Sequence, residues 1–297
     1  MPAAVVVGVA SSEQYRYGET QLEKSDSSAF GTKNEQFIFE ELLPMLRKQY
    51  QALDFTLLIG HSRYGYFCSY LLSKRYEEIQ AVIALSPVFS QTNSNLLPDL
   101  RGIYEQFSRK RHLYYRFGIG SDYPEEFAKV QKLLQKIPAK KKEKIDFKGM
   151  LFPEADHNAT PGISIASALY EIFAYWSSQQ NIFSRKEQPH TGLAALQQNI
   201  AAHYGAPLKF SIGTLNGKGW QFFNEQKYAQ AIAAWEQCVE AYPLFAEAYL
   251  YIIYAQKELQ EDYSATLQKL EESLRLTQLY SAEELAELQE EIKSLKP

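Results

Sequence analysis

In the stretch LLIGHSRYGYF, residues 57 to 67, an apolar run leads into Gly60, His61 and Ser62 and then into a new apolar pattern. A strand that turns sharply into a helix at Ser62 would lift the hydroxyl above a sheet and aim backbone N–H groups at a developing oxyanion. A serine hydroxyl is a poor nucleophile until a neighbouring base takes its proton, and the base needs a third group to fix its tautomer. Such a turn is tight, so small residues must flank the serine. Gly60 meets that need, whereas Tyr64 stands where the G-x-S-x-G pattern has its second glycine, which comes one place later as Gly65.

The base is expected on a loop after a later strand. Of the five histidines, His61 adjoins the serine and is expected to point away from it, because neighbouring side chains on a turn diverge. His112 opens a strand pattern, and His190 and His203 lie beyond the region of alternating elements, which leaves His157 in LFPEADHNATP. The chain order serine, acid, histidine then places the acid after HLYYRFGIG, where Asp122, Glu125 and Glu126 follow closely. Asp122 is nearest the strand end, with Gly118 and Gly120 freeing the backbone to turn; Glu126 is the alternative. Both glutamates equally suit the first turn of a helix, where the dipole favours acids. Asp156 is read as shaping the loop of its neighbour His157.

These residues need a scaffold, and the first 180 or so residues supply an alternating one. AAVVVGVA reads as a buried strand, and NEQFIFEELLPMLRKQY as a helix capped by Asn34 and kinked at Pro44. FTLLIG is the next strand and GYFCSYLLSKRY the helix after Ser62. AVIALSPVF and HLYYRFGIG are further strands, the first followed by an irregular stretch rich in Asn, Ser and Pro. EEFAKVQKLLQKI is an amphipathic helix, KIDFKGMLFP a last strand and ISIASALYEIFAYWSSQ a last helix. Strand and helix in turn imply an α/β class with a mostly parallel sheet flanked by helices. The long polar segment at residues 11 to 35 follows a strand, the position where open α/β sheets keep ligands.

From His190 onward the chain carries 8 basic and 14 acidic residues and no strand pattern, so a second, all-helical domain begins near there. The boundaries are read as 1 to 183 for the α/β domain, 184 to 192 for a linker and 193 to 297 for the helical domain. A net charge of −4 with scattered Lys and Arg offers no face for nucleic acid. No apolar run is long enough to span a bilayer, and the opening MPAAVVVGVA lacks the features of a secretory leader. As written, the chain reads as cytoplasmic. The only two cysteines, Cys68 and Cys238, suggest neither a disulfide framework nor a zinc site. Lysines 140 to 142 in PAKKKEK read as a solvated helix end.

Four segments, PAAVVVGVASSEQYRYGE, FEELLPMLRKQY, GHSRYGYFCSYLL and EADHNATP, together resemble the putative esterase family of α/β hydrolases. That family includes enterochelin esterase-like and S-formylglutathione hydrolase-like enzymes, and the resemblance covers roughly residues 1 to 180. It implies an α/β-hydrolase fold and hydrolysis of a small-molecule carboxylic ester without a cofactor. Ser62 would then be the nucleophile and His157 the base, with Arg16 lining the substrate side. The backbone N–H of Arg63 is one oxyanion donor. Two departures stand out. Tyr64 narrows the turn and brings a phenol to its base. The chain also opens on what corresponds to the family's fourth strand, so the first strands and the loop bearing a second oxyanion donor are missing. Loss of one such donor costs on the order of 100-fold in rate. The expectation is that Met1 is an internal residue of a longer protein, with room for a secretory signal upstream.

GKGWQFFNEQKYAQAIAAWEQCVEAYP, residues 217 to 243, resembles a tetratricopeptide repeat, with Gly219, Phe222, Tyr228, Ala231, Trp235 and Pro243 at the signature spacing. A degenerate helix pair and a final helix opened by a Ser281–Glu284 capping box follow. The resemblance implies docking of a protein partner, a homodimer contact, a lid or packing support. The leading expectation is a serine esterase; its rival is an interaction protein that uses the repeat-like domain on a degenerate hydrolase scaffold.

Overall fold

A computed structural model of the chain describes residues 1–9, 31–89, 96–277 and 279–296. It contains two compact units: residues 3–176 with 198–208, and residues 177–197 with 209–297.

The first unit is built on a parallel sheet of four strands among the described residues, in the order β1 (Leu57–His61), β2 (Ala81–Leu85), β3 (Leu113–Ile119) and β4 (Ile145–Leu151). β2 and β3 are buried along their whole length, as expected of apolar runs covered on both faces. The crossovers pass through α3 (Arg63–Arg75), α4 (Leu96–Gln106) and α5 (Pro124–Gln135), each in contact with the next. α6 (Thr160–Ile172) packs on β2 and β3. The register puts His61 opposite Leu85, Leu85 opposite Gly118 and Gly118 opposite Met150. A single row across the sheet therefore ends at the three loops that carry the candidate residues.

Arg116, on β3, is only 2% exposed. A buried guanidinium must be paired and hydrogen-bonded. It donates to the Asp146 carboxylate (2.5 Å), the Asp146 carbonyl (2.7 Å) and Glu171 on α6 (2.8 Å), tying β4 and α6 to β3.

Several elements differ from the sequence reading. Residues 1–9 form no strand; Val5, Val6, Val7 and Val9 are exposed, and no described strand pairs with them. β-branched composition favours an extended chain, but a ladder needs a partner edge. The first helix, α1 (Gly31–Gln36), already contains Asn34, which therefore does not cap it. It passes through a π turn, Phe37–Leu42, into α2 (Leu43–Tyr50). Pro44 falls in the first turn of α2, directly after the wider π turn, which takes up the proline within a continuous run. α4 lies within the stretch read as irregular, its pattern broken by Pro98 and Gly102. The last helix is two, α6 and α7 (Ala174–Phe183), separated at Phe173.

In the second unit, the helices after α8 (Leu193–Tyr204) are α9 (Ile212–Asn224), α10 (Tyr228–Ala241), α11 (Ala246–Glu258), α12 (Ser264–Leu276) and α13 (Ala282–Leu295), each in contact with the next. A Cβ on Gly219 would lie 2.2 Å from the Trp235 ring, so α9 and α10 can pack this closely only because residue 219 is glycine. Ser281 and Glu284 form the capping box of α13. The Lys218 ammonium donates to Arg185 O, Gln188 O and Gln221 Oε1 between the rings of Phe183 and Phe222, pinning residues 185 to 188 to α9. Ala139–Lys142 is a short exposed 3₁₀ turn.

Near the start of β3, the His203 ring stacks on His112 (3.8 Å) and Tyr175 (3.9 Å) and meets the Tyr114 hydroxyl at 2.5 Å. Burial, then the neighbouring His112 and Lys144, push the His203 imidazole down to about 4. The unfolded chain therefore binds a proton that the fold refuses, so this contribution is intact above pH 6.5 and is lost as pH falls from 6.5 towards 4. Urea unfolding at pH 7 and pH 4.5 is expected to show a loss on the order of 2 kcal/mol from this ring, allowing for its partial exposure. His203→Phe is expected to flatten most of that difference.

Candidate active site

Ser62 joins β1 to α3 with φ 58° and ψ −118°, a conformation that non-glycine residues adopt only where the surroundings enforce it. Two main-chain bonds do so: Ser62 N–H donates to Leu85 O (2.8 Å), and Ser62 O accepts from Tyr66 N–H (3.1 Å), the first bond of α3. Gly60 is required because a Cβ there would lie 2.3 Å from the Tyr64 carbonyl oxygen and 2.8 Å from Cys68 Sγ. Gly65 lies against the carbonyls of Gly60 and Leu85 and is the glycine in contact with the sheet. Tyr64 is half-buried at the start of the helix, so the displaced glycine still lets α3 approach the strands. Arg63 and Tyr64 open α3 beside Ser62.

His157 and Asp122 come together from the loops after β4 and β3, with His157 Nδ1 2.6 Å from Asp122 Oδ2. The other carboxylate oxygen accepts from Gly120 N–H (3.2 Å). Burial raises the Asp122 pKa, but hydrogen bonds from His157 and its own backbone, with Ser86 acting in the same direction, outweigh it and hold the carboxyl below its usual range. The Ser86 hydroxyl is itself buried and lacks a partner at ordinary hydrogen-bond geometry, and its backbone is left-handed at φ 42°. A charged Asp122 holding Nδ1–H leaves His157 Nε2 as the proton acceptor. Tyr123 meets the His157 ring edge-on at 5.9 Å.

Asp156 shapes the loop as expected: its carboxylate accepts from Asn158 N–H (2.9 Å) and Ala159 N–H (2.8 Å), and its carbonyl from the Thr160 hydroxyl (2.8 Å). Glu126 is buried on α5 and pairs with Lys129 at 2.8 Å, while Asp122 is the acid that bonds the imidazole. Arg16 and most of the polar segment around it lie outside the described residues. Among the described residues no hydrogen bond joins the Ser62 hydroxyl to His157.

His61 links the two loops. Its Nε2 donates to the His157 carbonyl (2.8 Å), with ring centroids 4.5 Å apart. Divergence from Ser62 does not keep the ring from the neighbouring loop. The loop after β4 is broad enough for its main chain to reach His61 while its ring turns to Asp122. Two adjacent polar residues at a strand end were the available signal.

Cys68 and Cys238 are buried, and burial raises both thiols to about 12, so neither is a reactive thiolate near neutral pH. No described helix is long and apolar enough to cross a membrane. No cluster of three metal-ligating side chains occurs among the described residues.

The sequence profile of the Esterase family, described as Putative esterase, matches residues 1–231. The fold is similar to an IroE-like serine hydrolase from Shewanella oneidensis, at 14% identity over 76% of each chain and a TM-score of 0.56. It is also similar to an uncharacterised protein from Capnocytophaga ochracea DSM 7271, at 12% identity over 94% of this chain and 80% of that one, with a TM-score of 0.51. At these identities the likeness is one of fold. No curated protein matches the sequence.

The loop bearing His157 lies so close to β3 that a Cβ on Gly120 would fall 2.1 Å from the Ala155 carbonyl oxygen. Gly120→Ala is therefore expected to lower stability by about 1–3 kcal/mol, read as a shift in the urea midpoint. It is also expected to displace the His157 ring from Asp122, read as a changed imidazole resonance by NMR.

Proposed function

We propose, from the premise that this chain belongs to the Putative esterase family, that it is a serine hydrolase cleaving carboxylic esters through an acyl-enzyme intermediate. One observation carries the reading most: an imidazole bonded to a charged carboxylate, on a loop tied directly to the strained turn that presents Ser62.

In this mechanism Ser62 Oγ attacks the ester carbonyl while His157 Nε2 takes its proton. Asp122, already bonded to Nδ1, favours the imidazolium that forms. The tetrahedral oxyanion receives the Arg63 N–H, at the first position of α3, where the helix dipole also favours negative charge. Collapse expels the alcohol, which takes its proton from His157. A water then attacks the acyl-enzyme with His157 again as base, and the acid leaves as Ser62 regains its hydrogen. The steps call for no metal or organic cofactor. Tyr64 and Tyr123 give the substrate side an aromatic character, and Arg16 is assigned to the same side from the family pattern.

For the second unit the proposal is a tetratricopeptide-like helical array that docks a protein partner or a second copy of the chain. The close α9–α10 packing through Gly219 and Trp235, with Ala231 and Cys238 fully buried beside them, supports that reading.

A fluorophosphonate probe is expected to label the protein once per chain. Ser62→Ala should abolish labelling, His157→Ala should slow it by at least about 1,000-fold, and Asp122→Asn should reduce ester turnover on the order of 10,000-fold. Absence of wild-type labelling would leave the interaction-protein reading in its place.

A further inference from the structure

We propose that His61 is a positioning residue for the base. It sets the distance between His157 and Ser62 through its bond to the His157 carbonyl, an inference that rests on the serine-esterase reading above.

The loop carrying His157 is fastened along one side to the segment after β3. Phe152 N–H donates to Ile119 O (2.8 Å), Ser121 N–H donates to Ala155 O (2.8 Å), and Asp122 holds the imidazole (2.6 Å). All of these anchors stand at the end of β3. The nucleophile stands at the end of β1, with β2 between them in the sheet. None of these anchors reaches the turn that carries Ser62 directly. The His61 bond crosses that gap, running from the residue immediately before the nucleophile to the backbone of the base itself.

Two anchors then act on one residue. Asp122 fixes the rotation of the His157 ring, and His61 fixes the main chain from which the ring projects. A carbonyl can only accept, so His61 Nε2 must carry hydrogen, which also assigns its tautomer. The tilted contact of the two rings, with centroids 4.5 Å apart, limits sideways movement of the loop. Because Ser62 Oγ and the imidazole are not bonded to each other, the reaction needs the two groups to approach. Displacements of about 1 Å at such a site cost on the order of 100-fold in rate.

The test compares His61→Phe, which keeps a ring against His157 but removes the donor, with His61→Gln, whose amide restores an N–H at similar reach. Turnover of p-nitrophenyl acetate is expected to fall about 10- to 100-fold in kcat for the Phe variant, with KM within about threefold of wild type. The Gln variant should recover to within about fivefold of wild-type kcat. The rate of fluorophosphonate labelling should fall and recover in parallel, still reaching one label per chain at completion. The proposal is overturned if the Phe variant keeps kcat within twofold, if the Gln variant is as slow as the Phe variant, or if kcat, KM and the melting temperature all deteriorate together. A wild-type protein that takes no label refutes the esterase reading itself. Wild-type labelling with an unaffected Phe variant refutes only the role of His61.

Discussion

The left-handed backbone of Ser62 is the constraint on which the rest of the candidate site depends. A non-glycine residue at φ 58°, ψ −118° costs on the order of 1–3 kcal/mol and persists only where its neighbours leave no alternative. Here they leave none. The residue before it is locked in the β1–β2 ladder, its own N–H is held by Leu85 O, and its carbonyl starts α3. The close approach of Gly60 and Gly65 to neighbouring backbone lets α3 begin without a gap. If the serine relaxed to an ordinary strand conformation, α3 would lose its first bond and the hydroxyl its elevation above the sheet.

Asp122 and His157 depend on the same sheet by a different route. His61, Leu85, Gly118 and Met150 form one register row, and the loops leave the sheet just beyond it. Each loop is then sewn to the next: Ser62 N–H to Leu85 O, Ser86 N–H to Gly118 O, and Phe152 N–H to Ile119 O. These bonds extend the parallel ladder one step past the strands into irregular chain. Residues as far apart in sequence as 62, 122 and 157 therefore come to one rim, where the side-chain bonds of His61 and Asp122 to residue 157 complete the arrangement.

The sequence revealed what depends on local pattern and order. The four strands with their parallel arrangement, the turn at Ser62, and the loops bearing Asp122 and His157 all follow from apolar runs, small residues at strand ends and the order of polar residues along the chain. What it hid depends on partners. The valines of residues 1–9 have strand composition, yet composition supplies no neighbouring edge, and they lie exposed. α4 was obscured because Pro98 and Gly102 weaken a pattern that packing against α3 and α5 restores. The choice of Asp122 over Glu126 as partner of the imidazole turns on how the chain bends after Gly120, which spacing does not encode. The role of His61 is hidden because the group it meets is a backbone carbonyl, which leaves no mark in the sequence.

Tyr64 illustrates how a departure from a motif can be absorbed. The second glycine of G-x-S-x-G serves to bring a helix close to the preceding strand, and that requirement belongs to a contact, not to a position in the alphabet. In this chain the contact falls on Gly65, which faces the carbonyls of Gly60 and Leu85, while position 64 stays half-buried and accepts an aromatic ring. The helix start is consequently free to carry larger side chains beside Ser62 than the usual pattern allows. Tyr123, on the segment after β3, meets the His157 ring edge-on, so a tyrosine follows each of the candidate residues Ser62 and Asp122 within two positions.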